Sequence, residues 1–202
     1  MNSPEGDTLV PIPVDQPVWD RFFMIAPLVV VGSRGVEGEY DLAPKHMAMP
    51  LGWRNHYCFV CSPRHRTYQN IVATREFTVS FPRPSQVLLT SLAAVARSAD
   101  QSKPSLQLLP TTPATKVDGI LVGDCYLYLE CALHSIHDGF GANSLIIGEV
   151  VAASARESML RRDERDEGEQ IFSDPLLAYV SPGRMAEIRR TTAFPFPKYF
   201  SR

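Results

Sequence analysis

Residues 56–72 read HYCFVCSPRHRTYQNIV. Tyr57-Cys58-Phe59-Val60-Cys61 has the make-up of a strand, and it feeds directly into a helix start at Ser62-Pro63. Serine is a favoured helix cap, and proline at the first helical position gives up only an N–H that would lack an intrahelical acceptor. The free N–H groups that follow concentrate partial positive charge, and Arg64, His65, Arg66 and the Thr67 hydroxyl add to it. The stretch therefore reads as a cradle for an anion, with phosphate the natural guest. The plainer alternative is a set of solvated charges on a surface helix. Cys58 and Cys61 invite a metal or redox reading, but positions three apart on a strand point to opposite faces, so core thiols and no metal are expected.

The whole chain is compatible with that centre. Its 202 residues suit one domain with appended arms and can bury a substantial core. With 45% hydrophobic residues, 21% charged and a net charge of −2, there is no basic excess to favour nucleic acid. The amino terminus, MNSPEGDTLVPIPVDQ, lacks a basic region followed by an apolar stretch, so it does not read as a secretory signal. The apolar run at 22–31 is broken by Pro27 and falls well short of the ~20 residues of a membrane span. A cytoplasmic protein is expected.

Outward from the central stretch, residues 1–19 form an expected extended arm, with four prolines in the first 17 positions. A core is expected over 20–156. It opens with a short helical turn at 20–24 and a β-branched strand at 27–31 that Gly32 ends. Residues 42–53 show neither helical nor strand regularity, yet Lys45, His46, Met47, Met49 and Trp53 together suit a flat aromatic ligand with polar edges. The same residues would also be ordinary in a surface loop. Glu76-Phe77-Thr78-Val79-Ser80-Phe81 alternates in period two and reads as a half-buried strand. Residues 85–97 predict a helix of about three turns, with Val87, Leu88, Leu92 and Val95 near one face. The segment 98–118 is long enough to be a lid, a binding loop or a subunit wrap.

Strands are predicted at 126–133 and 144–153, flanking a glycine-rich turn at 138–143. Gly148 inside the second implies a bulge or a close backbone approach. His134 and His137 have no third ligand at a recognisable spacing and read as surface or satisfied histidines. Residues 157–202 form an expected carboxy-terminal extension. It holds a solvated charged run at 161–169, a short apolar element at 175–181 and an aromatic, proline-rich tail that should pack on its own domain or a second subunit. Six or more short strands with a few helices, and no strand–helix alternation, favour a mainly β, Greek-key barrel. No glycine fingerprint opens a helix after a first strand, which argues against a dinucleotide-binding Rossmann domain.

In this order the elements resemble the flavin reductase-like family, whose members adopt the FMN-binding split barrel. The resemblance rests on the strand at 27–31, on Asp41-Leu42-Ala43-Pro44-Lys45-His46, and on Cys61-Ser62-Pro63-Arg64-His65-Arg66-Thr67 with Asn70-Ile71. The strand from Glu76 and the segment Gly141-Ala142-Asn143-Ser144-Leu145-Ile146-Ile147-Gly148-Glu149-Val150 complete it. It implies FMN bound at a homodimer interface, with NADH or NADPH as co-substrate. Lys45, His46 and Met47 would meet the isoalloxazine ring. Cys61, Ser62, Arg64, Arg66 and Thr67 would form the site around the phosphate. Lys45 would stabilise developing negative charge, and Asn143 would stand where many family reductases carry a histidine beside the nicotinamide pocket.

The resemblance thus implies an FMN-binding oxidoreductase, most simply an NAD(P)H-dependent flavin reductase that passes electrons to a small-molecule or protein acceptor. The alternatives are a flavoprotein that exchanges electrons without a nicotinamide, and a flavin-free split-barrel binding module.

Overall fold

The computed structural model describes residues 8–98, 102–161 and 166–197. The first half of the chain contributes β1 (Met24–Pro27), β2 (Val29–Arg34), β3 (Tyr40–Lys45), β4 (Ala48–Pro50), β5 (His56–Cys61), α1 (Arg66–Thr74), β6 (Glu76–Phe81) and α2 (Val87–Leu92). The second half adds β7 (Thr111–Pro113), β8 (Ile120–Val122), β9 (Leu127–Phe140), β10 (Asn143–Ala155), α3 (Glu167–Ser173), β11 (Leu176–Ser181) and β12 (Arg184–Ile188).

The main sheet has seven antiparallel strands in the order β3-β2-β6-β9-β10-β5-β4. Its two edge strands are consecutive in the chain, joined only through His46 and Met47. Three peptide steps reach at most about 11 Å, so the two edges must be brought together at that point. The sheet curls into a barrel whose seam lies at residues 46–47. A smaller sheet, β1-β11-β12, and the pair β7-β8 complete the strand structure.

β2 shows why the sequence takes this form. Val29 and Val31 point into one core with Phe59, Ile71, Phe77, Val79 and Ile146, while Val30 points into a second with Leu42, Ala93, Leu109 and Val122. A strand buried on both faces needs a continuous apolar run, and VVV supplies it. The alternation expected at 76–81 is present in β6, and Gly148 makes the expected close approach. A β-carbon there would fall 2.4 Å from Phe77 Cζ, and the β9–β10 register shifts between Ile147 and Gly148. All four cysteines are buried and unpaired, and no metal-ligating cluster occurs among the described residues. No described helix is long and apolar enough to cross a membrane.

Several local expectations are corrected. The helical turn expected at 20–24 is a single turn closed by Arg21 N–H donating to Val18 O, followed by β1. Residues 42–53 are not an irregular loop but β3, a two-residue link and β4, ending in a hairpin. Pro44 and Pro50 are tolerated because both strands are edges, where a missing N–H breaks no ladder on the open side. The helix expected over 85–97 is shorter, a 3-10 turn at Pro84–Gln86 followed by α2, and Leu88 and Val95 face solvent. Within 98–118 the chain forms a 3-10 turn at Pro104–Leu108 and then β7, with Leu109 and Val117 buried. The expectations for residues 1–7, 99–101, 162–165 and 198–202 lie outside the described residues.

Candidate functional site

Ser62 does not cap the helix. It begins a tight turn in which His65 N–H donates to Ser62 O, 3.0 Å, and α1 starts only at Arg66 with His65 in the cap position. Among the described residues no side chain caps α1, and no acidic residue lies in its first turn, so the positive end of the helix is left open by them. Asn70 Nδ2 donates to Ser33 Oγ, 3.1 Å, in a buried bond that fixes the helix on β2. On the far side, Tyr68 and Ser144 hydroxyls donate to Asp138, which ties the 138–144 hairpin to the same helix.

A cleft of about 470 Å³ opens between β3, the 64–67 turn and helix start, and the segment 93–97 that follows α2. Lys45, Arg64, Arg66 and Thr67 line it, as does His65. The sequence reading did not find Arg97 and Lys103, which line the opposite side. Nothing local marks them, because their partner Asp41 is more than fifty positions away. The other expected residues sit around the cleft rather than in it. Cys61 is buried at the end of β5 and Ser62 is half-buried beside it. His46 and Met47 occupy the barrel seam. Asn143 is exposed at the tip of the β9–β10 hairpin, paired with Phe140 across the turn, one position beyond the Ser144–Cys61 pair and outside the cleft.

The charges in the cleft are not equivalent. Asp41 takes Arg97 Nη2 at 3.1 Å and Lys103 Nζ at 3.3 Å, and Lys103 also donates to the Leu42 and Ala93 carbonyls, 2.8 Å each. Arg66 is paired with Glu39. The Glu39 carboxyl is held below its ordinary value by its own backbone N–H and then by Arg66. Lys45 and Arg64 have no carboxylate partner among the described residues. Burial, and after it the Lys45 ammonium, lowers the pKa of both His46 and His65. Both imidazoles are thereby biased to the neutral form. Burial raises the Cys61 thiol, against a smaller opposing effect of Lys45. The cleft thus brings together two cations without a carboxylate partner among the described residues, an uncapped helix start and a buried hydroxyl, that of Thr67.

The His46 ring lies against Tyr179 of β11, with centroids 4.5 Å apart and planes 32° apart. The carboxy-terminal strand thereby reaches the seam, a contact that sequence distance conceals.

The chain is 27% identical over 143 residues to an uncharacterised protein of Methanothermobacter thermautotrophicus, which spans 68% of this chain and 67% of that protein. Among solved structures it resembles flavoredoxin from Methanosarcina acetivorans, with TM-score 0.74 and 18% identity over 95% of this chain and 97% of the other. A structure from Shewanella frigidimarina described as having a split barrel domain aligns with TM-score 0.75 and 15% identity, over 86% and 87% of the two chains. The curled, seamed sheet is thus a split barrel. The family profile described as flavin reductase like domain matches residues 21–182, well over half of the sequence, and the chain belongs to the flavin reductase-like family.

Proposed function

We propose that this protein is an FMN-dependent oxidoreductase working as a cytoplasmic homodimer, most simply a flavin reductase that uses NADH or NADPH. The observation that carries this reading is the cationic cleft at the open start of α1, where Lys45 and Arg64 have no carboxylate partner among the described residues. The donor set fits a flavin phosphate. Charge-assisted hydrogen bonds contribute ~1.5–3 kcal/mol each, so three would supply much of a micromolar affinity of about −8 kcal/mol.

Bound FMN would supply the hydride and electron chemistry. The protein's residues bind and orient. Arg64, Arg66 and Thr67 hold the phosphate, with Ser62 and Cys61 shaping the turn beneath them. His46 and Met47 meet the ring at the seam, and the Lys45 ammonium favours negative charge developing there. Exposed apolar side chains at Phe23, Ile25, Met47 and Met49 support a second copy over this side of the barrel. In that dimer the arm 1–19 and the extension 157–202 pack around the core 20–156. The electron acceptor is a small molecule or a protein.

One observation favours a second reading, electron exchange without a nicotinamide. An asparagine amide can donate and accept hydrogen bonds but cannot titrate, and Asn143 stands outside the cleft. Titration of the purified protein with FMN, followed by the flavin absorbance and fluorescence, tests the shared part of both readings. About one FMN per chain is expected, and absence of saturable binding would leave only a flavin-free module. Steady NAD(P)H oxidation on adding free flavin then separates the two. Replacing Arg64 and Arg66 together by alanine should weaken FMN far more than riboflavin, and equal weakening would refute the phosphate assignment.

A further inference from the structure

Three cations of the cleft already have carboxylate partners, and they differ in kind. Lys103 and Arg97 have side chains only 6% and 15% exposed, both on Asp41, and Lys103 also donates to two carbonyls. They belong to the framework. The Arg66–Glu39 pair lies nearer solvent, with side chains 35% and 30% exposed. It is also incompletely satisfied, because Arg66 Nε and Glu39 Oε2 are buried with no hydrogen-bond partner among the described residues. A guanidinium and a carboxylate can meet through two parallel bonds, and here one is made.

Glu39 reaches Arg66 by folding back over its own turn, where Gly35 N–H donates to Glu39 O, 2.8 Å. A β-carbon at Gly35 would fall 1.9 Å from Glu39 Oε1, so the turn admits this position of the carboxylate only with glycine there. A negatively charged side chain at the edge of an anion site competes with the anion.

Resting on the reading of the cleft as a phosphate site, we propose that Glu39 is a resident counter-ion of Arg66, displaced from the guanidinium by the ligand's phosphate. A phosphate presents three acceptor oxygens and can engage the guanidinium through two bonds at once, which the single Glu39 contact does not do. Part-exposed as it is, the released carboxylate rehydrates at little cost. Glu39 thereby sets how strongly the site distinguishes a phosphorylated ligand from its neutral core.

The test compares FMN with riboflavin on the full-length wild-type protein and on Glu39→Gln. The variant is expected to bind FMN about tenfold tighter, the scale of one charge-assisted hydrogen bond recovered, with riboflavin unchanged. Gly35→Ala, which crowds the carboxylate off Arg66, should shift FMN in the same direction. In an Arg66→Ala background, Glu39→Gln should have no effect. Unchanged or weaker FMN binding by both single variants, each shown folded by circular dichroism, would overturn the proposal and make Glu39 a positioning residue or a bystander. Failure of the underlying reading looks different: the wild-type protein itself would then show no preference for FMN over riboflavin.

Discussion

His46 and Tyr179 stack across the barrel seam at 4.5 Å, joining the link between the two edge strands to β11 of the small sheet. Tyr179 is itself fixed, since its hydroxyl accepts a bond from Gly183 N–H at 2.8 Å and its backbone pairs with Ala26 of β1. An element near the carboxy terminus therefore determines the surroundings of a residue assigned to the flavin ring.

Tyr179→Ala should release the His46 ring to water. Burial, and then Lys45, keeps the His46 pKa low, so exposure moves it up toward the ordinary histidine value. The sign follows from linkage: a histidine depressed in the folded state binds more protons when unfolded, so it withdraws stability as pH falls through the ordinary histidine range. Tyr179→Ala should flatten that dependence while losing roughly 1 kcal/mol of ring contact. Tyr179→Phe keeps the stack and should leave the titration alone, at a cost of about 1 kcal/mol for the Gly183 bond. An NMR pH titration of the imidazole checks both variants, and an unmoved His46 in Tyr179→Ala would refute the argument.

Gly148→Ala should destabilise by about 1–3 kcal/mol, the usual cost of forcing extra volume into a packed core. The new β-carbon would fall 2.4 Å and 2.6 Å from Phe77 ring atoms and 3.0 Å from Cys131 Cβ. Phe77 is 1% exposed and has nowhere to turn. Combining it with Phe77→Leu should recover part of the loss in urea denaturation, whereas additive losses would show that the ring is not the obstacle.

This glycine was legible because the reason for it is local: a small residue inside an otherwise apolar, β-branched strand. The period-two run of β6 was legible for the same reason. The start of α1 was misplaced because Ser62 and Pro63 satisfy their preferences equally well in a turn that precedes the helix. Residues 42–53 read as irregular because prolines break a strand pattern, and only the sheet order shows that Pro44 and Pro50 sit on edges. Lys45, Arg64, Arg66 and Thr67 were found from one short stretch and one loop, and the fold brings all four to one cleft. Glu39, which pairs with Arg66, and the Asp41, Arg97 and Lys103 group are joined by pairings between distant positions that no period or motif encodes.

Glu130 predicts an acid sensitivity. Burial pushes its carboxyl up, but bonds from the Lys116, Thr115 and Val117 N–H groups and the Thr115 hydroxyl together outweigh that and hold it below the ordinary value. A carboxylate depressed in the folded state contributes stability above its unfolded pKa and loses it as pH falls through the folded one. Glu130→Gln should cost roughly 2 kcal/mol at neutral pH, as charged acceptors are lost from the 115–117 turn. The gap between wild type and variant in urea denaturation should close in acid. A gap that stayed constant with pH would mean that the charge is not what holds the turn.

Lys103 links stability to the cleft. Its ammonium donates to Asp41, Leu42 O and Ala93 O, so it ties the wall at 93–97 to β3. Lys103→Met removes the charge but keeps most of the volume, leaving Asp41 with Arg97 and two carbonyls without their donor. Breaking a buried pair in this way costs about 3 kcal/mol. The wall should loosen, with faster amide hydrogen exchange over 93–98 and weaker FMN binding. Asp41→Asn in the Lys103→Met background should then add less than it does alone, because the interaction is already lost. Unaltered exchange at 93–98 in a folded Lys103→Met variant would show that the wall is held by apolar packing around Ala93 instead.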